Sequence, residues 1–183
     1  MREAVGFIEF NSIAKGIEAA DIVLKTADVK TVFSKAGCPG KYYLLISGDV
    51  AAVKSSVDAG IALAGDKVID SCIIPNIDSQ VVHAVNLTAF PEHIAAVGVM
   101  EYYSVTASIY GADAAVKAAE VQLVEVRLGT GIGGKSFVIL TGDVAAVREA
   151  VAAGISTPNA EGMVISSVVI PSPHKELVSS LVG

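Results

Sequence analysis

The chain has 183 residues and a mass of 18.7 kDa, with 52% hydrophobic and 17% charged residues, a net charge of −6 and a mean hydropathy of +0.61. Apolar content of this size fills one large core or two small ones, yet Gly, Asp, Lys or Ser interrupts every apolar run before the roughly 18 residues that a membrane span needs. No Trp and no Lys/Arg cluster is present, so neither nucleic acid nor an anionic membrane is an expected partner, and the surplus apolar surface is expected in subunit contacts.

The opening Met1 to Gly6 enters a strand-like run without the apolar centre of a secretory leader. Two cysteines, Cys38 and Cys72, make no disulfide framework, so a reducing cytoplasm is the expected setting. Residues 4–10 read as a β-strand. Ser12 then offers an N-cap for a helix in which Ile13, Ile17, Ala20 and Leu24 form a stripe expected to lie on a sheet. Asp21 and Lys25 stand at i and i+4, the order that favours a surface ion pair.

Val32 to Lys35 and Tyr42 to Ser47 read as two strands joined by Ala36-Gly37-Cys38-Pro39-Gly40-Lys41. Pro39 fixes its own φ and lacks a donor, and Gly37 and Gly40 flank it, so the connection is a tight one whose backbone can approach something closely. Cys38 in this loop is either a reactive or ligating sulfur or a lone thiol without a task. Asp49 caps a second helix with Val50, Val53, Val57 and Ile61 on one face, and Gly65 suits its end. Val68 to Pro75 supply a last strand, and Asp78 to Val85 a short helix.

The unit is then written again. Ala4-Val5-Gly6-Phe7-Ile8-Glu9 recurs as Ala96-Val97-Gly98-Val99-Met100-Glu101, displaced by 92 positions. The displacement becomes 94 where Gly48-Asp49-Val50-Ala51-Ala52-Val53 returns as Gly142-Asp143-Val144-Ala145-Ala146-Val147, and 96 where Ile74-Pro75 meets Ile170-Pro171. Val105, Ile109, Ala112 and Val116 repeat the first helical stripe, Val144, Val147, Val151 and Ile155 the second, and Gly162 repeats the helix-end glycine. Two loop insertions in an otherwise shared order describe tandem domains, residues 1–90 and 91–183, around a linker at 86–95 too short for independent motion. Each reads β-α-β-β-α-β-α. That order is an α+β sandwich of two ferredoxin-like βαββαβ domains with short C-terminal helices, in unpermuted sequence.

The second loop, Gly129-Thr130-Gly131-Ile132-Gly133-Gly134-Lys135-Ser136, satisfies both G-x-x-x-x-G-K-[ST] and G-x-G-x-x-G. A phosphate loop needs a helix N-terminus behind it, whereas Phe137-Val138-Ile139-Leu140 reads as a strand, so the glycines are taken as a turn. Cys72 lies in an apolar strand, aligns with Val168 of the second repeat and is expected to be a small buried hydrophobe. Cys38 aligns with Ile132 at a loop tip, where burial does not explain it. His83 and His93 read as solvated, His174 as a capping or surface residue at a helix start, and Glu9 and Glu101 as half-exposed or interface groups. No set for covalent or acid–base catalysis stands out, and no enzyme activity is expected.

These residues together resemble the shell proteins of bacterial microcompartments. The Ala-Val-Gly-Phe-Ile-Glu opening, the Asp21 to Lys25 helix, the Gly40-Lys41 and Gly134-Lys135 loops, the Gly-Asp-Val-Ala-Ala-Val segments and the Ile170-Pro171-Ser172-Pro173-His174 ending carry the likeness over nearly the whole chain. The chain is most similar to the tandem-domain, trimer-forming members, especially the iron–sulfur-containing ones of propanediol-utilisation compartments. The resemblance implies homotrimers that mimic hexamers and tile into facets with other shell proteins. It places Gly37, Cys38, Pro39, Gly40, Gly131, Ile132, Gly133 and Gly134 around a central pore, and Lys25 and Lys117 at tile edges. It further implies one [4Fe–4S] cluster per trimer held by Cys38 of three subunits, with a redox enzyme inside the compartment as a further partner. Three thiolates would leave one iron for water or a small ligand. Many members carry Arg where this chain has Ser172, which implies one altered tile-edge contact. Two other readings stand beside it: a shell protein with a plain metabolite pore, and a small-molecule-binding regulator on tandem ferredoxin-like domains.

Overall fold

The computed structural model describes residues 4–87 and 94–182. The expected boundary at 90/91, most of the linker and His93 lie outside the described residues. Two compact units emerge: Met1–Ile77 with Gly129–Gly134, and Asp78–Leu128 with Lys135–Gly183.

In the first unit, β1 (Ala4–Phe10), β3 (Lys41–Gly48), β2 (Val29–Gly37) and β4 (Val68–Ile74) form an antiparallel sheet in the order β2-β3-β1-β4. Helices α1 (Ile13–Thr26) and α2 (Val50–Ala64) pack on the sheet and on each other. In the second unit, β5 (Ala96–Tyr102), β6 (Gln122–Leu128), β7 (Ser136–Gly142) and β8 (Val164–Pro171) repeat the order as β6-β7-β5-β8, under α4 (Val105–Ala118) and α5 (Val144–Ser156). Two short helices complete the chain: α3 (Ser79–Val85), which belongs to the second unit, and α6 (Lys175–Val182). The split βαβ arrangement is thus present twice. Even the irregularities recur, since the β2–β3 register slips between Thr31 and Phe33 and the β6–β7 register between Leu123 and Glu125, the same position 92 residues on.

Local signals fix the helix ends. Ser12 and Ser104 accept from the backbone N–H groups of Lys15 and Ala107, each at 3.3 Å. Asp49 and Asp143 occupy N-cap positions without a side-chain bond, and Gly65 closes α2 with φ near 55°. Gly162 does not close α5. That helix stops at Ser156, because Pro158 cannot continue it, and Gly162 follows a 3-10 turn at Pro158–Ala160.

The helical stripes need correction. In α1 the sheet-facing residues are Gly16, Ala19, Ala20 and Val23, while Ile13, Ile17 and Leu24 are 40%, 54% and 41% exposed. Close packing of α1 on α2 and the sheet selects small side chains at the contact, so the large apolar ones fall on the free side. Val50 of α2 is likewise exposed, whereas Val53 and Val57 are buried. In α4 the matching Val105, Ile109 and Ala112 are all wholly buried. Among the described residues, no helix is long and apolar enough to cross a membrane.

Candidate functional site

The Cys38 loop is the three-residue turn of the β2–β3 hairpin. Gly40 donates its N–H to the Gly37 carbonyl at 3.0 Å and has φ of 84°, and the Cys38–Pro39 bond is cis. Both backbone groups of Cys38 are tied down. Its N–H donates to the Gly129 carbonyl at 3.2 Å, and its carbonyl accepts the Tyr43 hydroxyl at 3.1 Å. Tyr43 fills the space beneath. A Cβ on Gly37 would stand 2.1 Å from its ring, and one on Gly129, where φ is 66°, would stand 2.4 Å from its hydroxyl. Gly134 lies against the Cys38 carbonyl, so both ends of the second loop are seated beside the first. Only glycine fits where one backbone runs this close to a ring and to another backbone.

Below the loop, Tyr43 stacks on Phe7 with centroids 6.2 Å apart, and Lys41 Nζ meets Glu9 Oε1 at 2.5 Å. The Glu9 side chain is only 4% exposed, a buried paired carboxylate and not a half-exposed group, whereas Glu101 is 37% exposed. Burial, then the Glu9 charge, then Cys38 push the Tyr43 phenol well above the usual tyrosine range, which keeps its O–H available as the donor to the loop.

Cys38 is half-buried, Pro39 and Gly40 are exposed, Ile132 is half-buried, and Gly131 and Gly133 stand in open space. Cys72 is 7% exposed, its thiol pushed up to about 12 by burial and then by Asp70, as suits an inert core sulfur. Lys25 and Lys117 stand in the last turns of α1 and α4, each paired at 2.5 Å with Asp21 or Asp113. His174 is exposed, and its Nδ1 accepts the Glu176 N–H. After Gly134-Lys135 comes strand β7, and not the helix that a phosphate loop needs directly behind it.

The sequence reading missed the clamp made by Tyr43. Its one signal is the aligned pair Tyr43 and Phe137, of which only the thiol-bearing repeat has the hydroxyl. The Glu9–Lys41 pair had a signal too, because the second repeat carries Glu101 and Lys135 at the same places.

The model of the BMC domain matches residues 4–77 and again 96–173. The chain belongs to the bacterial microcompartment shell proteins, with two tandem BMC domains. It is 42% identical to the bacterial microcompartment shell protein PduT of Citrobacter freundii over 182 residues, covering 100% of this chain and 99% of that one. It is 29% identical to the carboxysome assembly protein CcmO of Synechococcus elongatus, over 97% of this chain and 68% of the relative. Among solved structures, a microcompartment protein of Desulfitobacterium hafniense superposes with a TM-score of 0.94 at 50% identity, covering 98% of this chain and 99% of that one. BMC domains repeated in this way describe a structural shell component, and they give the small-molecule regulator no support.

Proposed function

We propose that three copies of the chain close about a threefold axis into a flat, hexamer-like tile of a microcompartment facet, with the Cys38 and Ile132 loops alternating around a central pore. In this reading Cys38 of each copy ligates one shared [4Fe–4S] cluster, and the tile serves electron transfer across the shell or cluster delivery to a redox enzyme inside. Lys25 and Lys117 meet neighbouring tiles made of other shell proteins, and the chain's role is structural rather than enzymatic.

One observation carries the reading. The thiol occurs in one repeat's loop alone, half-buried, on a backbone held at both its amide and its carbonyl. The donor set tests the fit: among the described residues no three His, Cys, Asp or Glu side chains gather to hold a metal, and most such clusters take four thiolates. One chain is therefore insufficient, and three related by symmetry supply three sulfurs. A bound cluster would add one-electron chemistry. The chain's own part is to present the sulfur at fixed height, through Tyr43 and Gly129, and to leave room beside it at Gly131 and Gly133.

Anaerobic purification followed by solution mass, iron and sulfide content and EPR tests this. A trimer with about four irons per three chains and an EPR signal lost in Cys38→Ser is the expected result. A trimer that stays iron-free after reconstitution, with Cys38→Ser behaving like its parent, would leave a shell tile with a plain metabolite pore.

A further inference from the structure

Stability does not account for the ion pair under the thiol loop. Lys41 Nζ meets Glu9 Oε1 at 2.5 Å, with the Glu9 side chain 4% exposed and that of Lys41 25%. A pair so deeply desolvated adds little over apolar side chains of the same volume, because taking both charges out of water offsets most of their attraction. The equivalent pair of the second repeat, Glu101 and Lys135, meets at 3.2 Å with 37% and 47% exposed, and the loop beside it carries no thiol. Desolvated charges and sulfur thus occur in the same repeat.

The strands bring them together. In the β1–β3 register Glu9 stands opposite Tyr43, whose hydroxyl donates to the Cys38 carbonyl at 3.1 Å. Lys41, the first residue of β3, stands opposite Gly37, the last of β2, so it borders the turn in which Cys38 lies. Both charges are therefore built into the frame that holds the thiol. Two further charges flank it. Lys35 of β2, opposite Tyr43, is exposed with its Nζ 5.4 Å from the Phe33 ring centroid, and Asp70 of β4, opposite Glu9, is half-buried with Oδ1 accepting the Ser71 N–H. Solvent screens these two more than it screens Glu9.

We infer that the Glu9–Lys41 pair is the electrostatic setting of the thiol loop: two opposed charges fixed beside Cys38 that hold the reduction potential of a cluster bound there. The inference rests on the cluster reading above and names the residues that regulate that site. A nearby carboxylate opposes the arrival of an electron and a nearby ammonium favours it, and a desolvated charge is weakly screened. In the wild type the two largely cancel. Reduction is the uptake of one electron from an external donor, dithionite in the titration below, with no bond made or broken.

An EPR-monitored reductive titration of the anaerobically purified full chain tests this in wild type, Glu9→Gln, Lys41→Met and the double variant. Mildly alkaline buffer keeps a carboxylate left alone in its charged form. At a fixed ambient potential the ratio of reduced to oxidised cluster is expected to rise about tenfold in Glu9→Gln, where the ammonium stands alone. It should fall about tenfold in Lys41→Met, where the carboxylate does, each change being about 59 mV for a one-electron couple. The double variant, which keeps neither charge, returns to the wild-type ratio. Shifts of opposite sign that cancel on combination are not what a general loosening of the loop produces. Should Lys41→Met fail to fold or to hold iron, Glu9→Gln against the double variant carries the same comparison, and equal potentials there would overturn the inference. Loaded single variants that both titrate like the wild type, or that shift in the same direction, would overturn it and leave the cluster standing. An iron-free wild type would overturn the cluster reading and this inference with it.

Discussion

Two copies of one design lie in the same chain, and the same ion pair behaves differently in each. Glu9 and Lys41 meet at 2.5 Å with side chains 4% and 25% exposed, whereas Glu101 and Lys135 meet at 3.2 Å with 37% and 47% exposed. The strand positions are equivalent, so the backbone did not create the difference. Tyr43 stacks over Phe7 beside the first pair, and a phenylalanine, Phe137, stands in its place beside the second. Duplication has let one repeat keep a desolvated, rigid platform under its loop while the other keeps only the outline.

The largest test of that difference is Lys41→Met against Lys135→Met. Removing Lys41 leaves a carboxylate buried without its cation, a loss of about 3 kcal/mol in urea unfolding. Removing Lys135 frees an exposed carboxylate and should cost less than about 0.5 kcal/mol. Equal losses would mean that the two platforms are energetically alike and that burial of Glu9 has no consequence.

The helix contacts offer a second, slightly smaller test. In the second repeat the Tyr102 hydroxyl donates to the Gly154 carbonyl at 3.2 Å, and a Cβ on Gly111 would lie 2.1 Å from the Tyr102 hydroxyl oxygen. The first repeat has Phe10 and Ala19 at the two positions, a ring without the hydroxyl and a methyl in the space it vacates. Gly111→Ala alone should therefore cost about 2 kcal/mol through overpacking, despite the better helix propensity of Ala. Tyr102→Phe alone should cost about 1 kcal/mol by losing the hydrogen bond. Together they recreate the first repeat's solution, so the double variant should be more stable than Gly111→Ala, with a coupling of about 1 to 2 kcal/mol. Additive losses would show that the two pairs are not alternative solutions to one packing problem.

Much of this was legible in the residues, for reasons that the repeat makes plain. A constant displacement of 92 through β1 to β2 fixes which strands correspond, and the alternation of Gly and Pro with apolar runs places the hairpins. The α1 stripe was misread because hydrophobic periodicity counts large side chains, while a close helix contact is made by Gly16 and Ala19, which such counting passes over. For the same reason such counting gave no sign that Ile17 would stand 54% exposed. At the site, the thiol and its glycines were visible in sequence. The clamp was not, because it joins Cys38 to Gly129 and depends on a tertiary seat for the second loop.

The clamp itself supplies the finest comparison, Tyr43→Phe, which gives the first repeat the residue that the second has at Phe137. Loss of the bond to the Cys38 carbonyl should cost about 1 kcal/mol at neutral pH and should speed alkylation of Cys38, with Cys72 unreactive in both proteins because its thiol is buried and pushed up to about 12. The pH dependence has a fixed sign. Folding raises the Tyr43 phenol pKa, so the folded chain keeps a proton that the unfolded chain releases near about pH 10, and wild-type stability falls with rising pH above that point. Each further pH unit removes about 1.4 kcal/mol from the wild type relative to Tyr43→Phe, which has no phenol to ionise there. The deficit of the variant should thus vanish within about one unit above pH 10 and then reverse. A deficit that stays constant through that range would mean that Tyr43 ionises as freely in the folded chain as in the unfolded one, and the hydroxyl would not be the sealed donor that holds the thiol loop in place.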